Sequence, residues 1–296
     1  MNFWFGVILV TWLVFVVAIT SIFRFSIYRR KEHPPVEFRL LREPGEGLRM
    51  KIAKFDEDLP LQLLLSGAIP LTTLWLVLAG LVALNVKNPW IFLGTLAFAL
   101  GGAVVISGRL LLRKMTERRH CQLGYFGERE VGEQLAPLVR RGFYVFHDVP
   151  AEAGDRKFNI DHVVIGPTGA FVIETKTRRK RKTGVKDGRK AHEVIFDGGK
   201  LLWPTGDDRG ALAQADRNAK WVAEWLMKML GREISVLPML ALPGWWVTLK
   251  GKGPVSVQNP KNLPGVIEGF RETPLTDAEV DLIRRQLDAL CRDVRM

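Results

Sequence analysis

Charged side chains are absent from three stretches of this chain: Met1 to Phe23, Leu59 to Val86, and Asn88 to Gly108. Each run reaches the ~20 residues that an α-helix needs to cross about 30 Å of hydrocarbon. The pattern predicts a transmembrane helix within 1–28 and a transmembrane hairpin over 59–112, its tip between Asn85 and Pro89. Beyond Arg109 apolar residues come in shorter, periodic groups. Val131, Leu135 and Leu138 make a helical stripe that predicts a helix from about Gln122 to Arg141. Strands are predicted at Phe143–Val149, on both sides of a Pro167-Thr168-Gly169 turn within Asn159–Lys176, at Ile234–Leu242 and at Val255–Gln258. His192–Trp203 reads as a hairpin turning at Asp197-Gly198-Gly199, and Ala211–Leu230 as an amphipathic helix stopped by Gly231. A closing helix, Thr276–Arg292, has Thr276 as N-cap and Glu279 at the capping-box position. The sequence thus predicts an α/β domain behind three transmembrane helices.

The charge distribution orients the membrane part. Arg24, Arg29, Arg30 and Lys31 follow the first apolar run, and Arg109, Arg113, Lys114, Arg118 and Arg119 follow the third, whereas the loop between the second and third carries only Lys87. The positive-inside rule places both basic flanks in the cytosol, hence the N-terminus outside and the α/β domain cytosolic at an inner or plasma membrane. A competing reading makes the first run a cleaved signal peptide, but it lacks a basic start and is longer than such segments usually are. Residues 29–58, with Pro34, Pro35 and Pro44, read as a cytoplasmic loop, and 113–122 as a basic linker. The 296 residues suffice for one soluble domain beside the membrane part. Two cysteines, Cys121 and Cys291, without a CxxC pair, suggest free thiols rather than a disulfide framework or a thiolate metal site.

Candidate chemistry lies in Asn159–Lys176. Alternation along a strand puts Glu174 and Lys176 on one face with Val172, and Asp161 on one face with Val163 and Ile165. Carboxylates and an ammonium in such apolar strands need one another, or a metal. A structural Asp/Glu–Lys cluster is the alternative. Glu128, three residues before Val131, continues the buried helical stripe and is placed to add a carboxylate, or else it only favours the helix start through the macrodipole. His162 points away from Asp161 and reads as structural. The pair Trp245 and Trp246 reads as packing before stacking on bases or membrane contact.

After Lys176 comes a basic run containing Arg178, Arg179, Lys180, Arg181, Lys182 and Lys186, with Asp187-Gly188 as a turn. Such a run is a protruding hairpin or loop. Three uses are open for it: sequence-independent binding of nucleic-acid phosphates, attraction to anionic lipid head groups, or a solvated face.

Gly124, Gly127, Glu128 and Val131, then Ile160-Asp161-His162, Gly166-Pro167-Thr168-Gly169 and Ile173-Glu174-Thr175-Lys176 together resemble the nuclease-related domain, NERD. That family is similar to the PD-(D/E)XK nucleases of restriction-endonuclease-like fold. The resemblance covers 123–230, with 231–296 completing the domain, and Gln214 in LAQADRNA fits the family's Gln; TGDDRGA stands where an Asn-Pro is often found. The resemblance implies a mixed sheet flanked by helices, preceded here by three transmembrane helices. It also implies metal-dependent hydrolysis of DNA or RNA phosphodiesters. Asp161 and Glu174 would ligate Mg²⁺, or Mn²⁺, and Lys176 would position water or stabilise developing charge. Glu128 would orient Lys176 or add a water-mediated ligand, and Gln214 would hydrogen-bond behind the ligands or on the phosphate side, a plain helix-surface position being the alternative. An alternative is a catalytically inactive membrane-tethered module that binds nucleic acid or anionic lipid.

Overall fold

The computed structural model describes residues 39–181, 183, 185, 186 and 188–292, with Val17, Ala18 and Ser21. The first predicted transmembrane helix otherwise lies outside the described residues, as do Lys182 and Asp187. From residue 39 onward the described chain forms two units, 51–120, and 39–50 with 121–292.

Helices α1 (Glu46–Ala83) and α2 (Pro89–Leu135) supply the first unit with all but their ends, the first five residues of α1 and those of α2 from Cys121 on belonging to the second. Asn88 caps α2, its side-chain oxygen accepting the Trp90 N–H at 3.0 Å, and Pro89 opens the helix where no backbone donor is needed. Asn85, at φ 51°, turns the chain between the two helices. Arg118 grips Asp56 with two bonds of 2.6 and 2.9 Å, so the pair is an antiparallel hairpin. Both helices are long and apolar enough to cross a membrane, and only 6% and 11% of their most apolar windows are buried, unlike core helices of a soluble protein.

Two predicted boundaries are corrected. Residues 46–58 are not loop but the start of α1, and 113–122 are not a linker but the middle of α2. The segment Arg113–Gln122 has no proline or glycine and holds three arginines with Lys114, Met115, Glu117 and Gln122, all good helix formers, so nothing interrupts the helix.

In the second unit a short 3₁₀ turn (Ala136–Arg141) leads from α2 into β1 (Tyr144–Ala153), β2 (Arg156–Gly166) and β3 (Gly169–Thr175), an antiparallel meander. A smaller excursion follows, β4 (Glu193–Phe196), β5 (Leu201–Trp203) and β6 (Gly206–Asp208), then helix α3 (Gly210–Leu230). Strand β7 (Val236–Ala241) returns parallel to β3, β8 (Trp246–Leu249) joins β4, and β9 (Ser256–Gln258) lies parallel to β7. Helices α4 (Leu263–Gly269) and α5 (Asp277–Leu290) close the chain. The main sheet runs β1-β2-β3-β7-β9 and the small one β6-β5-β4-β8.

Burial follows the pleat. Val163, Ile165 and Val172 face Ala219, Val222 and Leu226 of α3 and Ile283 and Leu287 of α5. Val164, Phe171 and Ile173 face Val131 and Leu135 of α2 and Leu263 and Ile267 of α4. The small sheet buries Trp203 and Trp245 edge to face against the start of α3. Gly231 ends α3 at φ 70°, and the Thr276–Glu279 capping box is formed. The α/β class is therefore a mixed sheet covered by helices on both faces, whose C-terminal strand ends at Thr175, Ala241 and Gln258 lie side by side.

Residues 39–50, predicted as loop, belong to this unit. Arg42 reaches Asp148 at 2.8 Å with both side chains nearly buried, and the Gly47 N–H donates to the same carboxylate at 3.0 Å. The Arg42 N–H also donates to the Cys291 carbonyl.

Candidate active site

Antiparallel register sets the centre of the site. His162 pairs with Ile173, so the next step places Asp161 opposite Glu174, side chains on the α3 face. The same count across β1 and β2, from His147 opposite His162, brings Asp148 opposite Asp161. Three carboxylates thus stand in a row across three strands. Asp148, at φ 47°, is turned aside and satisfied by Arg42, Gly47 and the Asn159 amide at 2.9 Å.

Asp161 is partly buried and accepts the Thr175 N–H at 2.7 Å. Burial pushes its carboxyl up to about 7, the Asp148 charge adds to this, and the Thr175 N–H and the Lys176 charge oppose it. Glu174 is buried and accepts the Asn218 amide at 3.1 Å. Its carboxyl is pushed well above the usual range by burial, then by Asp161; Lys176 and a hydrogen bond from Gln214 pull it back, and Glu128 pushes it further. Lys176 sits just past β3, its N–H held by the Ala241 carbonyl at 2.9 Å.

Glu128 comes from the opposite face of the sheet, because α2 packs on Val164 and Phe171. It is buried in line with Val131 and Leu135. What brings it to the sheet end is Gly127: a Cβ there would lie 1.8 Å from the Thr177 hydroxyl, so only glycine lets the helix close on the chain after β3. Gln214 and Asn218, one turn apart on α3, both reach Glu174. Asn218 escaped the sequence reading, although its spacing of four from Gln214 on a predicted helix was the available signal. The structure therefore gathers Asp161, Glu174, Lys176, Glu128 and Gln214 at one end of the sheet. Among the described residues no group of three His, Cys, Asp or Glu side chains converges on a metal position.

The basic run divides. Arg178 pairs with Asp208, lies 4.5 Å from the Trp203 ring centroid, and accepts the Trp245 indole N–H on its carbonyl. Lys186 lies 4.0 Å from Asp207, which also binds Arg189 at 2.8 Å. These cations fasten the run to the small sheet. Arg179, Lys180 and Arg181 are exposed, with Lys180 over the Trp245 ring at 5.5 Å. Trp245 is core, as read from sequence, and Trp246 is 68% exposed. His162 is fully buried and meets His147, Nδ1 to Nδ1, at 2.8 Å; burial drives both imidazoles below their ordinary range, His147 to about 4.

Residues 123–243 match the model of the nuclease-related domain family, NERD, a stretch that runs from the second half of α2 through β7. An uncharacterized protein of Bacillus anthracis is 46% identical over 55 residues, which are 18% of this chain and 26% of that relative. The match thus spans about a quarter of the relative's length. No solved structure is a significant match.

Proposed function

We propose that the NERD domain hydrolyses nucleic-acid phosphodiesters with a divalent cation, and that the apolar helices hold it at the cytosolic face of a membrane. The observation that carries the reading is the meeting of Asp161 and Glu174 on adjacent strands, both carboxyls pushed up, with Lys176 beside them. Two carboxylates that repel each other at a sheet end fit a hard cation with oxygen ligands, and Mg²⁺ is commonly held by one or two such groups; Mn²⁺ suits the same donors. Asp161 and Glu174 would hold it, and when bound it neutralises phosphate charge and acidifies a water.

The remaining residues position and balance charge. The Thr175 N–H fixes one Asp161 oxygen, and the Gln214 and Asn218 amides fix Glu174 and favour its anion. Lys176 supplies a point charge for the attacking water or the developing negative charge. Glu128, near enough to Glu174 to push its carboxyl up, would orient that ammonium or add a ligand through water. Arg179, Lys180 and Arg181 offer exposed charge to the phosphate backbone next to the site.

The test is cleavage of labelled single- and double-stranded DNA and RNA by the full-length chain in detergent, with Mg²⁺, Mn²⁺ or EDTA. Cleavage that requires the ion and is lost in Lys176→Ala, with binding retained, is expected. Binding without cleavage of any polymer in either ion would sink the catalytic reading and leave a tethered binding module.

A further inference from the structure

A cleft of about 370 Å³ opens between the end of the β1–β2 hairpin and α3. Gln214 and Asn218 line it, and these same two amides reach Glu174, so the cleft is continuous with the candidate site. Arg156, Arg217 and Lys220 stand along it against Glu224. Lys220 is paired with Asp216 at 2.8 Å, but among the described residues neither Arg156 nor Arg217 is in an ion pair, and both are exposed. Phe158 and Trp221 supply an aromatic wall. The Trp221 ring is fixed: its N–H donates to the Glu152 carbonyl at 2.8 Å, Phe158 meets it edge on, and Trp225 stacks parallel to it at 6.5 Å.

Fixed aromatic rings beside unpaired guanidinium groups are the means by which proteins bind single strands. Stacking serves any base, and the cations track the backbone. A base within a duplex has both faces covered by its neighbours and cannot use such a wall. We propose that this cleft binds an unpaired nucleotide adjoining the scissile phosphate. The preferred substrate is then a single strand, or the single-stranded end or flap of a duplex, with a base against Trp221 and Phe158 and phosphates on Arg156 and Arg217. The inference rests on the nuclease reading of the neighbouring carboxylates but concerns binding.

Anisotropy titrations test it, using the full-length chain in neutral-lipid nanodiscs with EDTA and labelled oligothymidylate, oligouridylate and hairpin-closed blunt duplex. At least one single strand is expected to bind more tightly than the duplex. Trp221→Leu should weaken that binding about 5- to 150-fold, the equivalent of the roughly 1–3 kcal/mol found per stacked base, and leave the duplex unchanged. The exposed double change Arg156→Gln with Arg217→Gln should reduce the slope of log K against log salt on the single strand by about 1.4, at about 0.7 per phosphate contact. This second variant decides the matter if Trp221→Leu does not fold. Equal affinity for duplex and single strands, or variants that alter both alike, would overturn the proposal. Because EDTA removes catalysis, single-strand preference without cleavage in Mg²⁺ would refute the nuclease reading alone. Cleavage without that preference would refute the cleft alone.

Discussion

Replacing Asp161 with asparagine should stabilise the metal-free protein while abolishing its chemistry. The folded chain keeps a proton on this carboxyl up to about pH 7, whereas the unfolded chain releases it near the ordinary 3.8. Between those values the native state binds more protons than the unfolded one, so stability falls as pH rises. Each pH unit in that window is worth about 1.36 kcal/mol, so Asp161 costs on the order of 4 kcal/mol at pH 8 and nothing below pH 4. Asparagine keeps an oxygen for the Thr175 N–H and has no charge to bury. Urea unfolding of the full chain in detergent with EDTA, followed by tryptophan fluorescence, should find Asp161→Asn more stable than wild type at pH 8 and nearly equal at pH 4. Glu174 shifts in the same direction, in part because of the Asp161 charge, so the difference reports Asp161 together with its repulsion of Glu174. Adding Mg²⁺ should restore wild type by mass action, about 2.7 kcal/mol at a hundredfold excess over Kd, and leave the variant unmoved. A difference independent of pH, or a variant less stable at pH 8, would refute the reasoning that these carboxyls are held apart from their preferred charge.

Gly127→Ala should destabilise the domain by about 1–3 kcal/mol through overpacking against Thr177 and reduce cleavage with it; adding Thr177→Ala should recover part of both, and a single variant that melts like wild type would show that the helix yields freely. Arg178→Ala should lower the melting temperature by loosening the small sheet yet leave the salt dependence of duplex binding intact, because its charge is already spent on Asp208 and Trp203. Neutralising Arg179, Lys180 and Arg181 should instead flatten that dependence by up to about 0.9 per lost contact, and loss of binding to anionic vesicles with an unchanged slope would assign the run to lipid. A reporter active only in the cytosol should work after Met296 and fail at Asn88; the reverse pattern would overturn the orientation drawn from Lys and Arg.

Much of this was legible because it depends on period and punctuation. The stripe Ala215, Ala219, Val222, Leu226 gave α3, Gly231 its end, and the alternation in Asn159–Lys176 put Glu174 on a face with Val172 and Asp161 on a face with Val163 and Ile165, which the register then made one face with the two carboxylates opposite each other. What sequence could not supply were decisions made by contacts across long separations. Arg178 looked like any other cation of its run until Asp208 and Trp203 came beside it. Residues 46–58 looked like loop because Pro44 and Gly45 precede them and charges fill them, but nothing after Gly47 breaks a helix before Pro60. Strands β6 and β8 are too short for a period, and their pairing partners, not their composition, define them. Glu128 was predicted to be buried in line with Val131, but its approach from the far face depends on Gly127, whose role appears only when Thr177 is against it.

The clasp of Arg42 on Asp148 has a temporal consequence. During synthesis Arg42, which will neutralise Asp148, is made before both apolar helices, 106 positions ahead of that carboxylate, and the bond from Arg292 to the Arg39 carbonyl spans 253 positions. The first-made piece of the domain therefore gains its last contacts only with the last helix. Until then the segment carrying Arg42 is held to the sheet through Asp148, without the bonds to Cys291 and Arg292. A ribosome-bound chain halted after α3 should thus have its carboxylates and their counter-charges in place but leave residues 39–45 open to protease until Cys291 has emerged.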